Sequence, residues 1–173
     1  YTAPFGGGAA ALTVNGHPGE AWGWALSGGF RLLNFLMPKD RIEAAYTIAN
    51  GATGYTHGYT SNFVYGSGNS VGMGYAVDGV FANGGGINKS DSWKFELGYE
   101  HYWNAQWRTS LYVVYTGISY DSTATAQLCA GGLGSGLYGA VTTGSNCSPN
   151  QRANTISTRT AWNPHPSLEI GLD

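Results

Sequence analysis

Glu96 and Glu100 are the residues whose types and spacing come nearest to a reaction centre. Two carboxylates can serve as acid and base on a glycosidic bond. Four positions apart on an extended strand, their backbones stand about 13 Å apart. That exceeds the separation of roughly 6.5–9.5 Å used by inverting glycosidases. The histidines His17, His57, His101 and His165 include no i, i+2 or i, i+4 pair, so a zinc site is not expected. There is no G-x-S-x-G nucleophile motif and no phosphate-binding glycine loop. Gly6-Gly7-Gly8 and Gly84-Gly85-Gly86 read as loop glycines. The chain does not read as an enzyme, and no cofactor, metal or catalytic residue is expected.

What remains is charge held on strands. Ten of the charged residues fall in segments that alternate with a period of two: Arg31, Arg41, Glu43, Lys94, Glu96, Glu100, Arg108, Arg159, Glu169 and Asp173. Successive strand side chains point to opposite faces. When each apolar face is assigned from its uncharged residues, all ten charges fall on the other face.

The segments that must hold them are about 21–33, 41–50, 92–103, 107–120, 153–162 and 167–173. In the third, Trp93, Phe95, Leu97, Tyr99, His101 and Trp103 share one face, and Lys94, Glu96, Gly98 and Glu100 the other. In the fourth, Trp107, Thr109, Leu111, Val113 and Tyr115 alternate with Arg108, Ser110, Tyr112, Val114 and Thr116. The first carries Trp22, Trp24, Leu26, Phe30 and Leu32 on one face; glycines 23, 28 and 29 make a helix there a poor reading. Short turns at 34–40, 104–106 and 163–166 join these strands in pairs. Long segments at 1–20, 51–91 and 121–152 separate the pairs. The 51–91 segment holds many aromatics and is expected to be an ordered loop, with a short strand near Val71–Ala82.

Composition narrows the setting. Charged residues are 10%, aromatics 14%, and glycine occurs 28 times in 173 residues. That is few charges against roughly 25% in ordinary soluble domains. No apolar run approaches the roughly 20 residues of a membrane helix. Net charge is −2 with a pI near 6.1 and no basic run, so nucleic acid is not an expected partner. Aromatic rings gather at both strand ends: Trp22, Trp24 and Trp93 near the long loops, and Tyr102, Trp103, Trp107 and Trp162 near the turns. Two bands of amphipathic rings suit two lipid–water interfaces. Strands of about ten residues, tight turns at one end and long loops at the other complete the pattern of an all-β, antiparallel transmembrane β-barrel. The ten charges are then expected to line its interior, His101 to be an interfacial side chain, and the long loops to be extracellular. The chain stops within an alternating strand and is expected to be an internal piece of a longer protein, incomplete at both ends.

Two blocks carry a more specific likeness. Tyr99-Glu100-His101-Tyr102-Trp103-Asn104 with Trp107-Arg108-Thr109-Ser110-Leu111-Tyr112, and Ser157-Thr158-Arg159-Thr160-Ala161-Trp162-Asn163-Pro164 with Leu168-Glu169-Ile170-Gly171, resemble the alphaproteobacterial (rhizobial-type) general outer-membrane porins. The likeness is strongest over 92–173. It implies a barrel of sixteen strands, within the porin size range, and a homotrimer in the bacterial outer membrane among its lipid and lipopolysaccharide. It also implies passive diffusion of small hydrophilic solutes and ions past a loop folded into the pore. The loop 51–91 is the candidate constriction, with Asp78 and Asp91 among the residues that could reach it.

Cys129 and Cys147 are the only cysteines and fall in the 121–152 loop. An oxidising envelope compartment favours a disulfide over metal binding, since no histidine or second cysteine pair lies near. Closing a loop of that size is worth about 3 kcal/mol in the chain-entropy model. Two other functions fit parts of the pattern. One is a non-channel outer-membrane barrel, an adhesin or receptor binding through its long loops. The other is a secreted soluble β-sandwich.

Overall fold

The computed structural model describes residues 19–57, 63–67, 70–74, 76–81, 86–130 and 148–173. Six strands form one antiparallel sheet: β1 (Trp24–Leu33), β2 (Arg41–Asn50), β7 (Asp91–Tyr102), β8 (Trp107–Ser119), β9 (Gln151–His165) and β10 (Leu168–Leu172). Their order is β1-β2-β7-β8-β9-β10, so each neighbour is the next long strand along the chain. The sheet is open: β1 and β10 are its edges and do not pair with each other. Among the described residues no helix is long and apolar enough to cross a membrane.

The 51–91 segment holds a helical turn, α1 (Gly54–His57), and two small hairpins. One hairpin pairs β3 (Phe63–Ser67) with β4 (Ser70–Gly74); the other pairs β5 (Gly79–Phe81) with β6 (Ile87–Lys89). The 121–152 segment contains α2 (Ser122–Ala130), where the sequence reading had loop alone. The Asp121 carboxylate accepts from the Ala124 N–H at 2.7 Å and so caps the helix start.

Contacts divide the chain into two compact units. The first comprises the described residues within 19–26, 48–93 and 117–152, the loop-side ends of the strands with the long segments. Its core is Ile118, Tyr120 and Ala124, with Ala76, Val77 and Val80 packed against them. The Tyr120 hydroxyl accepts from the Val77 N–H at 3.2 Å. Asp78 takes the Thr53 N–H at 2.6 Å and the Thr53 hydroxyl at 2.8 Å. The buried Thr56 hydroxyl donates to Ser92 at 2.7 Å. Each bond fixes part of the 51–91 segment to a strand end or to another part of itself. The half-buried Trp93 lies over Gly117, where an added Cβ would come within 2.7 Å of the indole.

The second unit comprises 27–47, 94–116 and 153–173, which includes all three tight turns. The first turn is closed by Asn34 N–H to the Asp40 carbonyl at 2.6 Å and Lys39 N–H to the Asn34 side chain at 2.8 Å. Asn34 and Lys39 take positive φ, 56° and 76°, to make it. In the second, the Asn104 side chain accepts from the N–H groups of Gln106 and Trp107 at 2.8 and 3.0 Å, an Asx turn. The third is tighter than its sequence suggests, because β9 runs on to His165 and leaves only Pro166-Ser167 between strands. The extension is held by the Asn163 N–H donating to the Gln106 carbonyl at 2.8 Å. Pro164, with no N–H to give, sits near the strand end, and the β9–β10 register shifts between Leu168 and Ile170.

Candidate functional site

All ten strand charges singled out by alternation lie in the second unit, and every one is paired. Six of them form one row across β2, β7, β8, β9 and β10. Arg41 Nε donates to Glu100 at 2.9 Å. The other oxygen of Glu100 lies 3.6 Å from Arg108 Nε. Arg108 reaches on to Glu169, which also takes Arg159 Nη2 at 3.1 Å. Arg159 Nε ends the row 3.6 Å from Asp173. Two pairs stand apart: Arg31–Glu43 at 2.7 Å and Lys94–Glu96 at 3.1 Å. Hydroxyls and amides complete the shell. Tyr112 donates to Glu96 at 2.6 Å, Ser110 to Glu100 at 3.2 Å, and Arg108 Nη1 to Asn163 at 2.8 Å. Five cations against five anions leave this face neutral.

The face is not flat. Gly29, Ala45 and Gly98 floor an open groove of about 420 Å³ walled by Arg31, Glu43, Glu96 and Tyr112. Glu96 and Glu100 are each held by their own cation and hydroxyl partners: Lys94 and Tyr112 for the first, Arg41 and Ser110 for the second.

The opposite face is apolar and open. Leu26 and Phe30 of β1 are 65% and 58% exposed, and Ile156 of β9 is 72% exposed. Tyr46, Phe95 and Leu111 carry the same exposed face across the strands between, and Ile170 and Leu172 carry it onto β10 beside Trp162 and Thr160. Only Leu33 and Tyr112, among the large exposed apolar residues of β1–β9 strands, break the alternation. At the turn ends Trp107 and Trp162 stack at 5.6 Å, and the Trp103 indole donates to Thr109 at 3.0 Å. Trp22 and Trp24 stand exposed at the start of β1. Tyr102 departs from the ring band in which the sequence reading put it. Its strand parity sets it among the charges, with its hydroxyl 3.4 Å from Arg41.

The sequence reading missed Asp40. It is buried completely, and its carboxylate takes three donors from β7. Tyr99 Oη–H donates at 2.7 Å, the Tyr102 N–H at 3.1 Å, and His101 Nδ1 lies 2.9 Å away. Burial pushes the Asp40 pKa up, but the bonds from His101, Tyr99 and the Tyr102 backbone outweigh it and hold the group at about 2. His101 also sets its ring edge-on to Trp103 at 4.3 Å. It therefore joins a turn-fixing network with Asp40, Tyr99 and Trp103. A signal was present in the sequence. Asp40 has the parity of the apolar residues Ile42 and Ala44, where an unpartnered carboxylate would be costly.

Among the described residues no group of three or more His, Cys, Asp or Glu could hold a metal ion. Of the loop acids, Asp78 is engaged by Thr53, and Asp91 takes the Asn50 side-chain amide at 2.8 Å. The Cys129–Cys147 pairing lies outside the described residues. Comparison of the chain with protein-family models, with curated proteins and with solved structures finds no match.

Proposed function

We propose that the sheet is part of the wall of a porin-type outer-membrane β-barrel that lets small hydrophilic solutes and ions diffuse passively. The observation that carries this reading is the division of one sheet into an exposed apolar face and a fully ion-paired charged face. A soluble protein rarely leaves so broad an apolar surface uncovered. Lipid would cover it, and water would wet the other side. The strands β1, β2, β7 and β8, of 10 to 13 residues, suit a tilted crossing. Tight turns at one end and long segments at the other suit the outer-membrane orientation, with the turns periplasmic.

In this reading the mechanism is physical and involves no bond chemistry. The cross-section sets a size limit, and the wall charges set ion preference. The paired, neutral row predicts weak net selectivity from this part of the wall. Tyr102 then belongs to the wetted wall beside Arg41 and Glu100. The homotrimer, the contact with lipopolysaccharide and the constriction by the 51–91 segment complete the proposal on the strength of the resemblance to general porins.

The complete pairing of all ten charges also favours a second reading, a plugged barrel that works as an adhesin or receptor through its long loops. Conductance of the whole protein refolded into a planar lipid bilayer separates the two. Steady ohmic steps, in groups of three for a trimer, support the pore. Silence from folded, inserted protein would point to the plugged barrel.

A further inference from the structure

The three tight turns of the second unit are not alike. Between β7 and β8 the turn Trp103-Asn104-Ala105-Gln106 presents one exposed apolar side chain, Trp103, and Pro166-Ser167 between β9 and β10 presents no large one. The first turn departs from that arrangement. Phe35, Leu36 and Met37 stand 46%, 68% and 56% exposed, while the polar groups are used inside the turn. The Asn34 side chain accepts from Lys39 N–H, and the Asp40 carbonyl accepts from the N–H groups of Asn34 and Phe35. The Asp40 carboxylate is spent on Tyr99, His101 and the Tyr102 N–H of β7. The turn is thus closed on itself and clamped to a neighbouring strand, so its apolar side chains are presented in a fixed place. Phe35, Leu36 and Met37 follow the exposed apolar row Phe30–Leu32 of β1 and share the turn end with Trp103, Trp107 and Trp162. The exposed Lys39 follows them, a cation of the kind that reaches lipid phosphate from an apolar stem.

We propose that this turn is a membrane anchor, setting Phe35, Leu36 and Met37 into the boundary between acyl chains and headgroups on the turn side of the bilayer. The inference rests on the membrane reading above and adds an insertion beyond the band of rings. It commits to lipid as the occupant because the patch is continuous with the face that lipid would cover, and because the other two turns at the same end present one large exposed apolar side chain, Trp103, and none.

The test uses the whole protein in phosphatidylcholine vesicles with an environment-sensitive fluorophore on Leu36→Cys. Ala105→Cys on the second turn and Ile156→Cys on the apolar face serve as references. Wild-type protein taken through the same labelling sets the background from Cys129 and Cys147. The expected result is blue-shifted Leu36→Cys emission, quenched by lipid brominated near the headgroup and protected from aqueous iodide, while Ala105→Cys is quenched by iodide. If iodide quenches Leu36→Cys as fully as Ala105→Cys while Ile156→Cys answers to brominated lipid, the anchor is refuted and the membrane reading stands. If neither quencher reaches Leu36→Cys, protein covers the turn, and the anchor is again refuted. If iodide also quenches Ile156→Cys, the membrane reading fails with it.

Discussion

Replacing Glu100 by Gln should destabilise the protein and, on the proposed pore reading, tilt its ion preference at the same time. Glu100 is the junction of the six-residue row. It takes Arg41 through Nε at 2.9 Å and lies near Arg108 Nε at 3.6 Å, with Ser110 donating at 3.2 Å. Its side chain is 15% exposed, but that of Arg41 is 42% exposed. An exposed pair is worth about 0.2–1 kcal/mol, and breaking a buried one costs about 3–5 kcal/mol. With one partner shielded and the other half in solvent, the expected cost is about 1–2 kcal/mol. Arg108 keeps Glu169, which limits the damage. The row is also left with one excess positive charge. For an ion roughly 5 Å away in water that is about 0.8 kcal/mol, and screening at 0.1 M salt reduces it to about 0.5 kcal/mol. The anion gains and the cation loses by about that amount, so the expected change is roughly a fivefold gain in anion over cation permeability. Urea unfolding of the refolded protein reads the first effect, and the reversal potential across a salt gradient reads the second. A Glu100→Gln protein with an unmoved urea midpoint would refute the energetics. A reversal potential that stays fixed or moves toward cations would refute the placement of the row in the ion path.

Three further outcomes follow from the same geometry. Arg108→Glu should raise cation preference, as should Arg159→Glu, and an unchanged reversal potential in both would count against a wetted charged face. Asp40 is held at about 2, below its unfolded value near 3.9. Its contribution is therefore present in full above about pH 4 and is lost as pH falls toward 2. An acid titration of the unfolding midpoint should show this loss in wild type and a smaller one in Asp40→Asn; identical curves would remove Asp40 from the account. Gly117→Val would press on the Trp93 ring, where even a Cβ comes to 2.7 Å. Overpacking of that kind costs about 1–3 kcal/mol, which urea unfolding with Trp fluorescence would register.

Alternation made most of the sheet legible. In β1, β2, β7 and β8 the side-chain parity alone separated Leu26, Phe30 and Leu111 from Arg31, Glu43 and Arg108, because that period is fixed by backbone geometry. Which charge meets which was not legible. Arg41 pairs with Glu100 across 59 positions, and such a match needs the strand order and register. The end of β9 was misjudged because Asn163-Pro164 reads as a turn, whereas the Asn163 N–H finds the Gln106 carbonyl. α2 escaped notice because its cap, Asp121, sits in a polar loop-like stretch with no apolar period to announce a helix. Asp40 was missed because it was counted with its turn, although its parity belongs to the apolar face of β2. Tyr102 was placed with the ring band by its type, while its parity assigns it to the charges.

The central claim is that alternate residues of one strand face lipid and water. A nitroxide placed in turn at residues 109 to 114 of β8, in the whole protein in lipid vesicles, tests it most directly. Oxygen, which concentrates in bilayers, should broaden the signal most at Thr109, Leu111 and Val113. A water-soluble nickel chelate should do so at Ser110, Tyr112 and Val114. Two profiles of period two in antiphase are the predicted result. Profiles in phase, or chelate access equal at all six positions, would contradict the account.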